Sequence, residues 1–163
     1  MDYILTKKAM LRLGKLLVSR YKDKMDIDDT VATGKLKDSF KYKMTGFDTN
    51  ILSVEVLAAK YAKIVDEGRK AGKRNPGIRP IIEWMKAKGI KPYKGTKASD
   101  YKQAAASISK FIGEKGSIKR FGFKGSNFID IVAKQYAYPE IQNILESYEK
   151  DLENIINERV KAE

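Results

Sequence analysis

Residues 40–56 read FKYKMTGFDTNILSVEV, and this stretch decides the class of fold. An apolar residue stands at every second position from Phe40 to Met44 and again from Leu52 to Val56, with charged or small polar residues between them. This period of two is typical of half-buried strands, and GFDTN at 46–50 predicts the turn that joins them. A lone hairpin is marginal in water, so it must pack on helices or pair with further strands, including strands of another subunit.

Helices are expected on both sides of the hairpin. Apolar residues recur at helical spacing from Tyr3 to Tyr21, which predicts an amphipathic helix that stops in the polar run KDKMDIDD at 22–29. Counted from Asp26, an EF-hand would need Gly where Val31 stands and Glu where Lys37 stands. We therefore interpret these aspartates as turn-forming and helix-capping residues rather than as calcium ligands.

The chain beyond the turn at Thr33 alternates between short ordered pieces and basic loops. Residues 33–40 are expected to form a helical turn or to lead into the first strand, and residues 61–65 a short helix or strand that ends at Gly68. Two further helices are predicted, one that begins at Pro80 and ends at Gly89 and one at 100–114. Glycines at 113, 116, 122 and 125 are interpreted as loop residues. A long helix is predicted after Pro139. The expected fold is a single α+β domain over residues 1–163, with an N-terminal helix, a small antiparallel sheet packed against several helices and a long C-terminal helix.

Two residue types are missing, and their absence removes whole classes of chemistry. The 163 residues include no cysteine and no histidine. Disulfide scaffolds, thiol nucleophiles, cysteine-ligated zinc and Ser-His triads are therefore excluded, and the commonest general base is lost. No apolar run approaches the roughly 20 residues needed to cross a bilayer, and the N-terminus does not resemble a secretory signal. We expect a soluble protein made inside the cell, with no metal or cofactor.

The net charge of +12 is concentrated in the middle of the chain. Residues 60–97 carry 12 basic and 3 acidic side chains, whereas residues 140–163 carry 3 basic and 7 acidic ones. The basic loop region spans about 68–80 and the acidic C-terminal helix about 140–162. Like charges at the density of the middle segment repel one another unless a polyanion neutralises them. Nucleic acid, an anionic membrane and an acidic protein face are the classes of partner that this pattern favours.

The segments that look like catalytic or nucleotide-binding motifs lack residues or spacing that those motifs require. Gly68 to Arg74 has the wrong spacing for a phosphate-binding loop, and RFGFKG at 120–125 lacks the flanking residues of an RNA-recognition strand. The glycines at 122 and 125 have the spacing of a GXXG nucleic-acid clamp, but this spacing occurs so often by chance that it does not indicate such a function. Adjacent Asp66 and Glu67 are interpreted as charges at a loop edge. Trp84, beside Ile81 and Met85, is expected to be a core or interface anchor.

Several short segments, taken in order, resemble a known family. TGKLKDS at 33–39 is similar to a Thr-Gly-x-Leu-x-x-Ser element, and YAKIVDEG at 61–68 to a Tyr-Ala-x-x-Val-Glu-aromatic-Gly segment, with Asp66 and Glu67 departing from that pattern. The basic loop, the helix with Ile81 and Trp84, KGI at 88–90 and GSNF at 125–128 continue the series. This chain resembles the tail-completion or neck proteins of tailed bacteriophages. The matching positions are Thr33, Gly34, Leu36, Ser39, Tyr61, Ala62, Val65, Gly68 and Trp84.

The resemblance implies a non-enzymatic virion protein that joins head to tail. Such a protein is made in the host cytoplasm and forms a homo-oligomeric ring, of six-fold or twelve-fold symmetry, at the virion neck. Its partners would be the portal or its adaptor, the tail-tube proteins and the DNA that passes through the channel without sequence recognition; no membrane is involved. The residues expected to contact DNA or the adjoining ring are Lys70, Lys73, Arg74 and Arg79.

Two alternatives use the same residues differently. A small, basic, non-specific nucleic-acid-binding protein would follow duplex backbone with its basic loop and would form no ring. A phage nuclease or its inhibitor would use the carboxylates of the middle segment, Asp66, Glu67, Glu83 and Glu114, with magnesium.

Overall fold

The computed structural model describes residues 3–28, 32–46, 51–93, 95–121 and 125–162, without the side chains of 118–121 and 162. The chain is predominantly helical with one two-stranded antiparallel sheet, an N-terminal helix and a long C-terminal helix, so the predicted α+β class is confirmed. The elements are α1 (Ile4–Ile27), α2 (Lys35–Ser39), β1 (Lys41–Thr45), β2 (Ser53–Leu57), α3 (Ala62–Glu67), α4 (Ile78–Ala87), α5 (Ala98–Phe121), α6 (Phe128–Val132), a π-helical turn (Ala133–Ala137) and α7 (Tyr138–Ala162).

The two predicted strands pair as an antiparallel hairpin. Tyr42 pairs with Val56 and Met44 with Val54, so the apolar positions of both strands share one face. Residues 47–50 of the predicted turn lie outside the described part of the chain. Gly46 has φ of 90°, and a Cβ there would lie 1.7 Å from the carbonyl oxygen of Ile51. Glycine is therefore required where the two strands converge.

The residues group into two compact units. The first contains 1–24, 39–58 and 128–163, and the second contains 25–38 and 59–127. In the first unit the rings of Tyr21, Phe40 and Phe128 pack together, with centroids 5.3–5.9 Å apart. Leu17 and Val132 are buried in the same unit.

The second unit has its own small core. Ile81 and Met85 of α4 meet Ala105 of α5, and all three are buried. Partly buried residues around them, including Tyr101 and Ile108, extend this contact along α5. The α4–α5 packing is thus the framework to which the loops of the second unit attach.

One predicted element boundary is wrong. Helix α1 continues through KDKMDI to Ile27, because Met25 is only 1% exposed and its burial outweighs the weak helix propensity of aspartate. The helix predicted at 100–114 forms as α5, which reaches a break at Gly116 and ends at Phe121. The long C-terminal helix predicted after Pro139 forms as α7, which begins at Tyr138; Pro139 has no N–H to donate four residues back, and the π-helical turn lies directly before α7.

Candidate polyanion-binding surface

The basic loop at 69–77 lies along one face of α5. The amide of Arg69 donates to Ser117 Oγ (2.8 Å), and the amide of Ser117 donates to the Arg69 carbonyl (3.0 Å). Further along, the amide of Gly72 donates to the Gly113 carbonyl (2.8 Å). Ser109 Oγ donates to the Pro76 carbonyl (2.6 Å). The loop is therefore held at its start, middle and end.

Small residues on α5 make this close approach possible. A Cβ at Gly113 would lie 1.7 Å from Asn75 Oδ1, and a Cβ at Gly116 would lie 2.4 Å from the Arg69 carbonyl oxygen. Gly116 also has φ of 71°, which L-residues rarely adopt. Ser109 and Gly113 are four residues apart and share a face of α5, and Ser117 follows the break at Gly116. These small residues are the sequence signal for the loop attachment, and the interpretation of Gly113 and Gly116 as loop residues missed it.

Three of the four predicted contact residues belong to this loop. Lys70, Lys73 and Arg74 are exposed, and within the described chain none of their side chains has a carboxylate partner. The backbone carbonyl of Arg74 accepts a hydrogen bond from Arg69 Nη2, which helps to shape the loop beneath the exposed side chains. The loop thus presents uncompensated positive charge from a backbone that is attached to a helix.

Arg79 differs from the other three. It lies in the first turn of α4, and its Nε is 3.2 Å from Glu83 Oε1. Glu83 also receives Lys35 Nζ at 2.6 Å, and the hydrogen bond and charge of Lys35, followed by those of Arg79, lower the pKa of the Glu83 carboxyl. Arg79 is therefore partly neutralised, although its side chain is highly exposed.

Two segments that carry the family resemblance meet at the end of α3. The amides of Ser126 and Asn127 donate to the carbonyls of Val65 (3.3 Å) and Asp66 (3.0 Å). A Cβ at Gly125 would lie 2.0 Å from the Asp66 carbonyl oxygen. Asp66 and Glu67 are the last two residues of α3, next to the loop that begins at Gly68; Asp66 is buried, whereas Glu67 is exposed and pairs with Lys63. The amides of Ser126 and Asn127 thus supply donors to carbonyls in the last turn of this helix.

The other motif positions belong to the second unit, except Ser39, which belongs to the first. Leu36 and Ala62 are buried, whereas Thr33 and Tyr61 are exposed. Burial raises the pKa of Tyr61, and the charge of Lys35 opposes this effect. The positive φ of Gly34 and Gly68 suits the turns before α2 and after α3, and Ser39 and Val65 are half-buried.

Trp84 is not a core residue. It is 39% exposed, while its neighbours Ile81 and Met85 are buried. Of its two predicted roles, the core role is therefore wrong, and the interface role stays a prediction.

The acidic side chains of the described residues are dispersed or paired. The described residues contain no group of three or more acidic side chains placed to hold a metal ion. Asp26 pairs with Lys37, and Asp100, beside a shallow depression of about 250 Å³, accepts the amide of Lys97 at 3.0 Å. Most of RFGFKG at 120–125 lies outside the described residues. Among the described helices, none is long and apolar enough to cross a membrane.

Comparison of this chain with protein-family models, with curated proteins and with solved structures found no match.

Proposed function

We propose that this chain is a structural subunit of a tailed-phage virion, forming a ring at the neck that joins the head to the tail and surrounds the DNA channel. The observation that carries the proposal is the attached basic loop with Lys70, Lys73 and Arg74 exposed and uncompensated. The ordered resemblance of the surrounding segments to neck proteins supplies the location. No catalytic step is part of the proposal.

The loop suits contact with a phosphate backbone. Lysine and arginine side chains that neutralise phosphates release condensed counterions, and this contribution to binding is independent of base sequence. Because the loop backbone is attached to α5, less ordering entropy is lost on binding than for a free loop. A ring repeats this loop around its axis, so that a modest charge on each subunit becomes a positive annulus for DNA.

The rest of the surface favours assembly. More large apolar side chains are exposed than buried among the described residues. Within the described chain, β1 and β2 pair only with each other, which leaves their outer edges available for a neighbouring strand. Proteins with such surfaces gain stability from partners.

A small non-specific nucleic-acid-binding protein is the competing function. It uses the same basic loop, and the unpaired charge of that loop favours it equally. The two functions differ in location and assembly: the competing protein binds DNA in isolation, forms no ring and is absent from virions.

The DNA contact can be tested with matched charge reversals. We expect the combined variant K70E/K73E/R74E/R79E to bind DNA more weakly. The slope of log K against log salt concentration should become less steep by about 3 to 4, because each phosphate that is no longer neutralised contributes roughly 0.9 to that slope. The control reverses four exposed lysines of the first unit, Lys8, Lys15, Lys41 and Lys150, and has the same net charge. Equal weakening in both variants would show that net charge, and not the loop, binds DNA.

The virion location requires the particle. Cryo-electron microscopy of purified virions should show copies of this chain around the DNA axis at the neck. In the phage, the fourfold reversal should give particles that package DNA but fail to join tails or retain the genome. Absence of the chain from particles, or normal infectivity of the variant, would refute the neck function.

A further inference from the structure

Helix α7 carries a long apolar stripe that is open to solvent. Tyr138, Ile141 and Leu145 lie on one arc of the helix, and the arc continues through Tyr148 and Leu152. Ile156 and Val160 complete it near the C-terminus and are 59% and 69% exposed. From residue 138 to 160 the stripe is roughly 33 Å long, and on a helix about 10 Å wide it covers roughly 300 Å². A contiguous apolar patch of that size is comparable to the largest patches on monomeric proteins, which often have a function.

A different arc of α7 holds the helix in its own unit. Asp151 accepts the amides of Leu5 (3.1 Å) and Thr6 (2.8 Å) and the Thr6 hydroxyl (2.8 Å). Three turns earlier on the same helix, Glu140 pairs with Arg12 at 2.7 Å. The contact with α1 therefore leaves the stripe uncovered, except at the edge where Tyr148 stacks on Tyr3.

Acidic side chains border the stripe on its other edge. Glu146 and Glu153 are exposed and lie directly beside the stripe, and the exposed Glu149 lies at its margin, between Ile156 and Val160 around the helix circumference. Residues 140–163 are net acidic, in a chain whose net charge is +12. The chemistry that matches this face is an apolar surface surrounded by basic residues.

The chain itself provides such a surface on α4. Pro80, Trp84 and Ala87 are exposed and spaced i, i+4, i+7, so they form a short apolar stripe. Beside it lies Glu83, the one acidic residue of α4, which pairs with both Lys35 and Arg79; with Lys86 on the same helix, the charged groups at α4 sum to a net positive charge. We infer that the α7 stripe of one copy docks on the Trp84 face of α4 in a second copy.

Other arrangements are less favourable on charge. In an antiparallel pair of two α7 helices the same flanking positions face each other, so the three glutamates of one copy would lie against those of its partner. The acidic border also opposes insertion into an anionic membrane. Docking of α7 on α4 instead places acidic against basic residues, which favours this orientation.

The contact joins two different surfaces, so it is heterologous. Each copy then has one free α7 and one free α4, and addition continues until a ring closes or a filament grows. This inference is compatible with the proposed neck ring but does not depend on it. It concerns contact between copies, and its test involves neither DNA nor virions.

Cysteine cross-linking gives a clean test because the natural chain has no cysteine. Chains with L145C and with W84C, carrying different affinity tags, are mixed at about 1 mM and treated with a short bismaleimide, since a contact with a Kd near that concentration still forms. We expect a cross-linked dimer that carries both tags, and a ladder of products from the double variant. N154C with W84C is the control, because Asn154 is exposed on the opposite side of α7 from Leu145.

Charge reversal tests the orientation. E149K/E153K in the L145C chain should reduce the yield of the two-tag dimer about fivefold, as expected for two ion pairs at the edge of an interface. The control E158K changes an acidic residue away from the stripe and should leave the yield unchanged.

Three results would overturn the inference. The first is a two-tag yield no higher than that of the N154C control. The second is a dominant L145C–L145C product, which would mean that two α7 helices pair with each other. The third is stripe-dependent sedimentation with phosphatidylcholine vesicles in place of cross-linking, which would mean that the stripe binds lipid.

Discussion

The carboxylate of Asp151 stabilises the first unit by capping the first helix from the last one. Its two oxygens accept three hydrogen bonds from Leu5 and Thr6, and the residue is only 4% exposed. Burial alone would raise the pKa of Asp151, but the hydrogen bonds from Thr6 and Leu5 outweigh it and hold the pKa below its ordinary value. The carboxylate is therefore more stable in the folded chain than in water.

Replacing this carboxylate should be costly. In D151N one of the two acceptor oxygens becomes an NH2 group, so either the Leu5 or the Thr6 amide loses its acceptor, and the hydrogen bonds that remain are to a neutral group and not to a carboxylate. A hydrogen bond to a charged group contributes about 1.5–3 kcal/mol, and removing an N-cap costs about 1 kcal/mol. Because such effects are not additive, we expect about 3 kcal/mol of destabilisation in total, or a fall in Tm of roughly 6–12 °C.

The pH dependence has a definite sign. A carboxyl whose folded pKa lies below its unfolded pKa adds stability at pH values above the unfolded pKa, and this stability is lost as pH falls through the folded pKa. The difference in unfolding free energy between wild type and D151N should therefore have its full value at pH 7. It should decrease below about pH 4, near the pKa of an unfolded aspartate.

Thermal and urea unfolding, followed by far-UV circular dichroism at pH 7 and pH 3, measure this prediction. E153Q is the matched control on the same helix, and as an exposed carboxylate it should change stability by no more than about 0.5 kcal/mol. A destabilisation by D151N no larger than that by E153Q, or one that grows as pH falls, would refute the reasoning.

Three further perturbations test the packing, each by the change in unfolding free energy. G116A should cost about 2 kcal/mol or more, because its φ of 71° and its approach to the Arg69 carbonyl both oppose a Cβ; G89A, with similar φ but open space, should cost only about 1 kcal/mol. F128A removes a ring from the aromatic cluster and should cost about 3–5 kcal/mol, whereas Y93A, at a fully exposed residue, should be neutral. P139A restores an amide donor within a continuous helix and should stabilise the chain by about 1 kcal/mol, with a decrease in stability contradicting the role of proline in the π-helical turn.

The surface charge illustrates how much of the candidate site is predictable from sequence. The segment that carries the charge, and the exposure of Lys70, Lys73 and Arg74, could be read from composition and loop residues. The pairing of Arg79 with Glu83 follows helical spacing and was also accessible. The attachment of the loop to α5 could not be predicted from the sequence, because glycine favours both turns and close helix contacts.

Local signals determined the hairpin and the ends of α4. The alternation from Phe40 to Met44 is a local signal for a strand, and Pro80 and Gly89 act within one turn of their own positions. Tertiary contacts decided the rest. Helix α1 extends to Ile27 because Met25 is buried, and Asp151 caps this helix by accepting the amide of Thr6, which lies 145 residues earlier in the chain. The physical reason is that side-chain periodicity and backbone preference act over a few residues, whereas burial and capping depend on partners that only the folded chain brings together.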